Sequence, residues 1–295
     1  MKIHKKPNLL NSFLLVYFYE LEKQLNASLD NKLQNIKFQS AEANTDEYLK
    51  KYFKQYISQN NNIKSSYLKQ LNIKIDSESY TINVANLHKY KIVNVLLPKE
   101  INDEQKQHIA NSKRSIYTNP DLYLEITDGN CTYFEAVELK STKNNNIPGS
   151  SVQQVTPFEW VIFVKRTKNN VSVATGYYLN SITNKLPFPD RSPRPQISYK
   201  TLENWNKKYR KVNDQILSVE NITELNQKKI ILLNDWQDFL AKDWLRIVQA
   251  KSTKNNEKWF NNALRKFAVK FLDYTENLTE PEKKALKENL KKLIR

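Results

Sequence analysis

From Pro120 to Lys140 the chain spells out one antiparallel hairpin. Leu122, Leu124 and Ile126 alternate with Asp121, Tyr123 and Glu125, the period-two pattern of a strand with two unlike faces. Asp128-Gly129 is a strong two-residue turn signal, and Phe134 to Lys140 reads as the returning strand. A chain organised around this segment must build a sheet. With Asp128-Gly129 as the turn, Thr127 faces Asn130 and Asp121 pairs with Ala136. Ala136, Glu138 and Lys140 then share the face of Asp121. Glu138 becomes the diagonal neighbour of Asp121, at roughly 7–8 Å between backbone positions. A three-residue loop with no compensating bulge breaks this agreement.

Two carboxylates and a lysine on one face suit a hard divalent cation. Mg²⁺ takes oxygen ligands, usually one or two carboxylates with water and substrate phosphate. Held between Asp121 and Glu138, it can acidify a water and neutralise charge developing on a phosphate. Lys140 is placed to orient or help deprotonate that water and to stabilise the pentavalent centre. Glu125, on the Asp121 face, and Glu104, on an upstream helix, are candidates for a second metal site. The bland alternative is a surface hairpin with a Glu138–Lys140 salt bridge, since Pro-Asp and Glu-x-Lys are each common. Joined with matching parity inside a basic chain, they favour catalysis.

The basic balance matters here: 47 Lys+Arg against 31 Asp+Glu give a formal net charge of +16. Such a charge suits a polyanionic partner, although solubility accounts for part of it. Cys131 is the one cysteine, which excludes an internal disulfide and a thiolate zinc cage and fits a reducing cytoplasm. His4, His88 and His108 are too scattered for a zinc site. Three glycines, Gly129, Gly149 and Gly176, do not make a phosphate-cradling loop, so an ATP-driven motor is not expected. Lys5 and Lys6 precede an apolar stretch at Leu9 to Leu21 that imitates a signal peptide. Asn11, Ser12 and Glu20 interrupt it, and no small-residue cleavage site follows. Leu10, Phe13, Leu14, Tyr17, Phe18, Leu21 and Leu25 repeat instead at helical spacing, as in an amphipathic core helix. No segment is long and apolar enough to span a bilayer, so a soluble cytoplasmic protein without a membrane partner is expected.

Three regions follow. Residues 1–98 read as mainly helical, with a second apolar stripe at Tyr48, Leu49, Tyr52, Phe53 and Tyr56, and with Ile92 to Leu97 as strand or buried helix. Residues 99–185 form the catalytic core: a helix at Ile101 to Ser112 entered through Pro98, the hairpin, and strands at Trp160 to Lys165 and Val171 to Leu179. Pro148-Gly149-Ser150-Ser151 reads as a turn capping a short helix through Gln154. Residues 186–295 begin with a Pro-rich exposed loop, Leu186 to Pro195, and return to helix. Trp236, Phe239, Leu240, Trp244, Ile247 and Val248 mark one helical face, and Trp259 to Tyr274 another. Thr279-Glu280-Pro281-Glu282 reads as the cap and first turn of a final basic helix, a charged surface face. The three regions are expected to pack as one compact unit.

The segment 119–166 resembles the PD-(D/E)xK nuclease superfamily, particularly its type II restriction endonucleases. The resemblance rests on Pro120-Asp121, Glu138-Leu139-Lys140, Ser141-Thr142-Lys143, the run Ile147 to Gln154, and Phe158 to Phe163 as the next core strand. It implies an α/β fold with a mixed central sheet flanked by helices, and Mg²⁺-dependent hydrolysis of double-stranded DNA that leaves the phosphate on the 5′ end. Asp121, Glu138 and Lys140 match the family's catalytic positions, with Asp121 and Glu138 as the metal ligands. Pro157 and Phe158 stand where exonuclease-like members carry a Tyr after the Gln, which favours an endonuclease. Cutting both strands of a short palindrome implies a homodimer, and restriction implies a separately encoded DNA methyltransferase.

Candidate DNA contacts divide by chemistry. Lys143, Lys165, Arg166 and Lys168 suit phosphates. Asn144 to Asn146, Ser150, Ser151 and Gln154 suit base edges, and Arg191 and Arg194 suit guanine. The competing expectations are a PD-(D/E)xK nuclease of repair or mobile elements without sequence specificity, and a non-catalytic DNA-binding protein.

Overall fold

The computed structural model describes residues 7–27, 31–34, 36, 42–43, 47–64, 67–112, 120–152, 156–167, 170–183, 185, 194–253, 257 and 259–294. Gln154, Lys168, Arg191 and most of the Pro-rich segment lie outside them. The chain divides into two compact units, Met1–Asn234 and Asp235–Arg295. The expected boundary at residue 186 and the expected single unit thus differ from this division.

The first unit opens with α1 (Leu9–Ala27). Asn8 caps it, its side chain accepting from the Asn11 N–H at 2.7 Å. The predicted apolar stripe is buried except for the partly buried Leu10, and Ser12, Val16, Tyr19 and Glu20 are buried as well, so the helix is enclosed on several sides. There follow α2 (Asn31–Gln34), β1 (Glu42–Ala43), α3 (Glu47–Gln59), β2 (Gln70–Ile75), β3 (Glu78–Asn83), β4 (Lys91–Leu96) and α4 (Asp103–Ser112). The hairpin supplies β5 (Leu122–Thr127) and β6 (Thr132–Thr142), and β7 (Asn146–Pro148), β8 (Trp160–Arg166) and β9 (Val171–Tyr177) come next. The unit closes with α5 (Tyr178–Ser181), β10 (Gln196–Ser198), α6 (Tyr199–Tyr209), β11 (Arg210–Asn213), β12 (Ile216–Asn221) and α7 (Thr223–Asn234).

A mixed α/β architecture results. The main sheet runs β4-β5-β6-β8-β9, with β1 also paired to β6. β4, β5 and β6 form an antiparallel meander, β8 lies parallel to β6, and β9 returns antiparallel. The four strands expected for the core are present as β5, β6, β8 and β9, and the ambiguous run at Ile92 resolves as β4. On one face, Phe13, Leu14, Phe18 and Leu21 of α1 pack with Leu122, Leu124, Ile126, Val137 and Leu139. Phe18 stacks on Trp160 at 4.6 Å between ring centroids. Each such side chain contributes about 1.5–3 kcal/mol by leaving water. The other face carries Tyr123, Phe134 and Ala136 under Ile101 and Ile109. Asn26 of α1 covers the open edge of β9, accepting from Val173 N–H and donating to Val173 C=O at 2.9 and 2.8 Å.

A second sheet, β11-β12-β2-β3, corrects the helical reading of residues 1–98 and of the segment after 186. Both of its hairpins turn through non-glycine residues at positive φ. These are Asp76 (52°) between β2 and β3, and Asp214 (49°) with Gln215 (67°) between β11 and β12. Neither carries the Asn-Gly or Asp-Gly signature such turns favour, so local composition hides them.

The second unit holds α8 (Trp236–Val248), α9 (Trp259–Glu276) and α10 (Glu280–Leu293). Trp244 meets Phe260 at 5.9 Å where α8 packs on α9. Thr279 caps α10 as expected, with Glu282 accepting from the Thr279 N–H at 2.7 Å. Among the described residues no helix is long and apolar enough to cross a membrane.

Candidate active site

The site occupies a break in the ladder of β6. On its β5 side, pairing stops at Leu122–Val137 and resumes with β1 at Ser141 and Thr142. Glu138, Leu139 and Lys140 lie between, still paired on the other side to Val161, Ile162 and Phe163 of β8. The Leu139 N–H, facing the break, donates to Asp121 Oδ2 at 2.8 Å. Asp121 thereby satisfies a backbone donor that the end of β5 leaves open.

The register differs from the expected one by two residues. Thr127 pairs with Thr132, and Gly129-Asn130 form the turn, because the Asp128 carboxylate accepts from the Asn130 and Cys131 N–H groups at 3.0 and 2.9 Å. Gly129, at φ +92°, takes the first central position, where a type II′ turn wants glycine. A two-residue shift preserves face parity. Continuing the register one step past Leu122 sets Asp121 directly opposite Glu138 rather than diagonal to it.

Asp121, Glu138 and Lys140 are all buried, at 4%, 6% and 1% exposure. The Lys140 ammonium lies 2.6 Å from Glu138 Oε1, and the same oxygen accepts a hydrogen bond from Ser150 Oγ. Tyr178 holds that serine in place, its hydroxyl accepting from the Ser150 N–H at 2.8 Å. Gly149 makes this approach possible, since a Cβ there would stand 2.2 Å from the Tyr178 hydroxyl and 2.7 Å from Pro195 O. From α3, Lys50 reaches Asp121 Oδ1 at 3.1 Å and Glu47 at 3.6 Å. The bland surface-hairpin reading therefore fails: the Glu138–Lys140 pair is interior.

Burial, and then the charge of Glu138, push the Asp121 carboxyl up to about 6 from its ordinary 3.8. Lys140, Lys50 and the Leu139 N–H pull the other way without prevailing. Burial opposes the Lys50 ammonium, but Asp121 and then Glu47 outweigh it and leave its pKa raised. The Tyr178 hydroxyl is held well above its usual range by burial and by Glu138.

Two hard-oxygen acids facing each other, one resisting its own charge, fit a divalent cation, and Asp121 and Glu138 would hold it. Glu125 is spent elsewhere: it accepts from Asn94 and Gln105 at 2.9 and 3.3 Å. Four residues along the strand also put it ~13 Å from Asp121. Glu104 is exposed on α4. Among the described residues no group of three or more His, Cys, Asp or Glu is placed to hold a metal, so a second site there has no support.

The expected DNA contacts separate. Lys143 and Asn144 are exposed beyond β6, where Thr142 Oγ1 accepts from the Asn144 N–H at 2.9 Å and orders the bend. Arg194 is exposed too. Lys165 donates to Asn145 at 2.6 Å. Ser150 turns to Glu138 and Ser151 is buried, so these two do not present the base-reading surface expected of them, and Arg166, expected at a phosphate, is buried as well. Lys50, Ser150 as a partner of the acid, and Tyr178 escaped sequence reasoning. Lys50 follows Leu49 in a recognised apolar stripe, and that adjacency was its one available signal.

Compared with known protein families, with curated proteins and with solved structures, the chain matches none.

Proposed function

We propose that this chain is a Mg²⁺-dependent endonuclease that hydrolyses phosphodiesters in double-stranded DNA at a short specific site, as a type II restriction endonuclease of the PD-(D/E)xK kind does. The observation that carries the reading is the convergence of Asp121, Glu138 and Lys140 at the pairing break of β6. An antiparallel meander followed by a parallel strand supports the restriction-endonuclease-like fold.

When bound, Mg²⁺ supplies a Lewis acid for the phosphate and a more acidic water. The chain's own residues do the rest. Leu139 N–H orients Asp121, and Ser150, anchored by Tyr178, fixes the rotamer of Glu138. Lys140 keeps a desolvated ammonium beside Glu138, where it can orient the attacking water and meet charge growing on the phosphate. Exposed Lys143 and Arg194 add phosphate attraction, and the net charge of +16 draws the duplex in. A homodimer acting with a separately encoded methyltransferase completes this reading.

The inward Ser150 and Ser151 favour a second reading: cutting governed by DNA structure, as in repair or mobile-element nucleases, because two candidate base readers are withdrawn. Incubating the protein with long duplex DNA and Mg²⁺ and sequencing the ends separates the two. One shared terminal sequence supports restriction, random ends support the second reading, and salt-sensitive binding without cleavage defeats both. Asp121→Asn is the cleanest variant, because it removes a charge that burial disfavours. It should lower cleavage by about 10²–10³-fold or more with DNA binding retained. Full activity in that variant would overturn the site.

A further inference from the structure

The proposed reaction gives Lys50 no task, yet its ammonium sits on an oxygen that a metal at Asp121 needs. Asp121 Oδ2 accepts from the Leu139 N–H at 2.8 Å, and Oδ1 faces the Lys50 ammonium at 3.1 Å. Glu138 Oε1 is taken too, by Lys140 at 2.6 Å and by Ser150 Oγ. Among these contacts the one from Lys50 is the most readily undone. The Leu139 N–H is fixed in its strand, and Lys140 is enclosed on the same strand as Glu138. Lys50 comes from a different element, α3, on a flexible four-carbon stem.

A second carboxylate stands ready to receive it. Glu47, one turn back on α3, is already 3.6 Å from the ammonium. Side-chain exposure rises from 6% at Asp121 through 13% at Lys50 to 50% at Glu47, so the three lead from the interior to solvent. Lys54, one turn further along, is committed to Glu100 at 2.5 Å and does not compete for Glu47. The first turn of a helix disfavours a cation, so carboxylates rather than the helix hold Lys50 where it is. A small rotation about its stem trades one carboxylate for the other and never leaves the ammonium without a partner.

Charge decides which cation keeps the oxygen. An ammonium and a divalent ion on one buried carboxylate repel each other strongly. The divalent ion carries twice the charge and has Glu138 as its second ligand, so the ammonium is the one that yields. Until then each acid of the pair has its own cation, Lys50 for Asp121 and Lys140 for Glu138.

We propose that Lys50 is a tethered cation that holds Asp121 Oδ1 while the site is empty, and that metal entry transfers it to Glu47. Lys50 is then a positioning residue that sets how much divalent ion the site requires. The proposal rests on the reading of Asp121 and Glu138 as metal ligands.

Calorimetric titration of the full chain with Mg²⁺, without DNA and at about pH 8.5 so that carboxylates are ionised, tests it. Lys50→Met should bind Mg²⁺ at least about tenfold more tightly than the wild type, and adding Asp121→Asn should abolish that gain. Glu47→Gln should weaken Mg²⁺ binding at least about twofold in the wild type and change it little in Lys50→Met. If Lys50→Met does not fold, Lys50→Gln carries the same comparison. A merely structural salt bridge predicts a lower melting temperature for Lys50→Met with unchanged Mg²⁺ affinity. That outcome, or weaker binding in Lys50→Met, overturns the proposal and leaves the metal site standing. A loss from Glu47→Gln that persists in Lys50→Met makes Glu47 a ligand rather than a refuge, and overturns it equally. If the folded wild type and Lys50→Met both fail to take up Mg²⁺ at millimolar concentration, the metal reading itself falls and the proposal with it.

Discussion

Asp121 in the first unit and Glu257 in the second each lie beside a cationic side chain, yet their acidities move in opposite directions. Glu257 receives two hydrogen bonds from Arg265, at 2.5 and 2.7 Å, and its carboxyl falls to about 2, through Arg265 first and Asn261 next. Asp121 has Lys50 at 3.1 Å and still rises to about 6. The difference is solvent and company. Glu257 keeps contact with water and has no competing acid in its pairing, whereas Asp121 is 4% exposed and shares its enclosure with Glu138. Pairing alone therefore does not fix which way a carboxylate's acidity moves. An acid that stays uncomfortable in spite of a partner is the better pointer to chemistry.

The same contrast runs through the apolar residues. The first unit buries Phe13, Phe18, Phe53 and Phe163 completely, while α9 has no buried residue and exposes Trp259 and Phe267 at 76% and 63%. The sharpest way to break the comparison is to truncate one ring in each unit. Phe18→Ala should cost about 3–5 kcal/mol in denaturant unfolding, and Phe267→Ala within about 0.5 kcal/mol. Equal losses would mean that α9 is covered in solution.

Next comes the pH dependence of the metal-free protein. Between pH 3.8 and about 6 the folded chain keeps the Asp121 proton that the unfolded chain has released. Stability therefore falls as pH rises through that window and levels above it. Asp121→Asn should remove this slope, an effect on the order of 1–3 kcal/mol. A wild type whose melting temperature is flat from pH 4 to 6 would show that Asp121 is not strained. Gly149→Ala follows, at about 1–3 kcal/mol, because its Cβ meets backbone oxygen of Pro195 and the Tyr178 hydroxyl. Its melting temperature, measured beside Gly129→Ala, separates crowding from backbone strain, since nothing lies within 4 Å of a Cβ at Gly129.

The smallest effect is expected at Glu257, with the opposite sign to Asp121. Its contribution is present above pH 4.5 and is lost as pH falls to about 2. Glu257→Gln should flatten that acid limb and leave neutral stability nearly unchanged, as unfolding curves from pH 2 to 5 would record.

Much of the site was legible because β5 and β6 alternate cleanly and because parity survives a two-residue slip. The slip itself was not legible. Asp128-Gly129 looks like a turn centre, and only the side chain of Asp128, accepting from Asn130 and Cys131, moves the centre to Gly129-Asn130. Lys50 and Tyr178 come from elements distant in sequence, so no local pattern announces them. β2, β3, β11 and β12 were missed for a different reason. Their strands run to six residues or fewer, and their turns force Asp76, Asp214 and Gln215 into a backbone region that composition assigns to glycine.

The pairing of β2 with β12 has a consequence for how this protein is made. Gln70 lies beside Ile216, so the parallel edge of the β2–β3 hairpin has no partner until nearly all of the first unit has been synthesised. During translation at roughly 5–20 residues per second, that edge stays open for many seconds, able to pair with any strand from a neighbouring ribosome. Production at high level should therefore be limited by aggregation at this edge, and slower synthesis at lower temperature should relieve it.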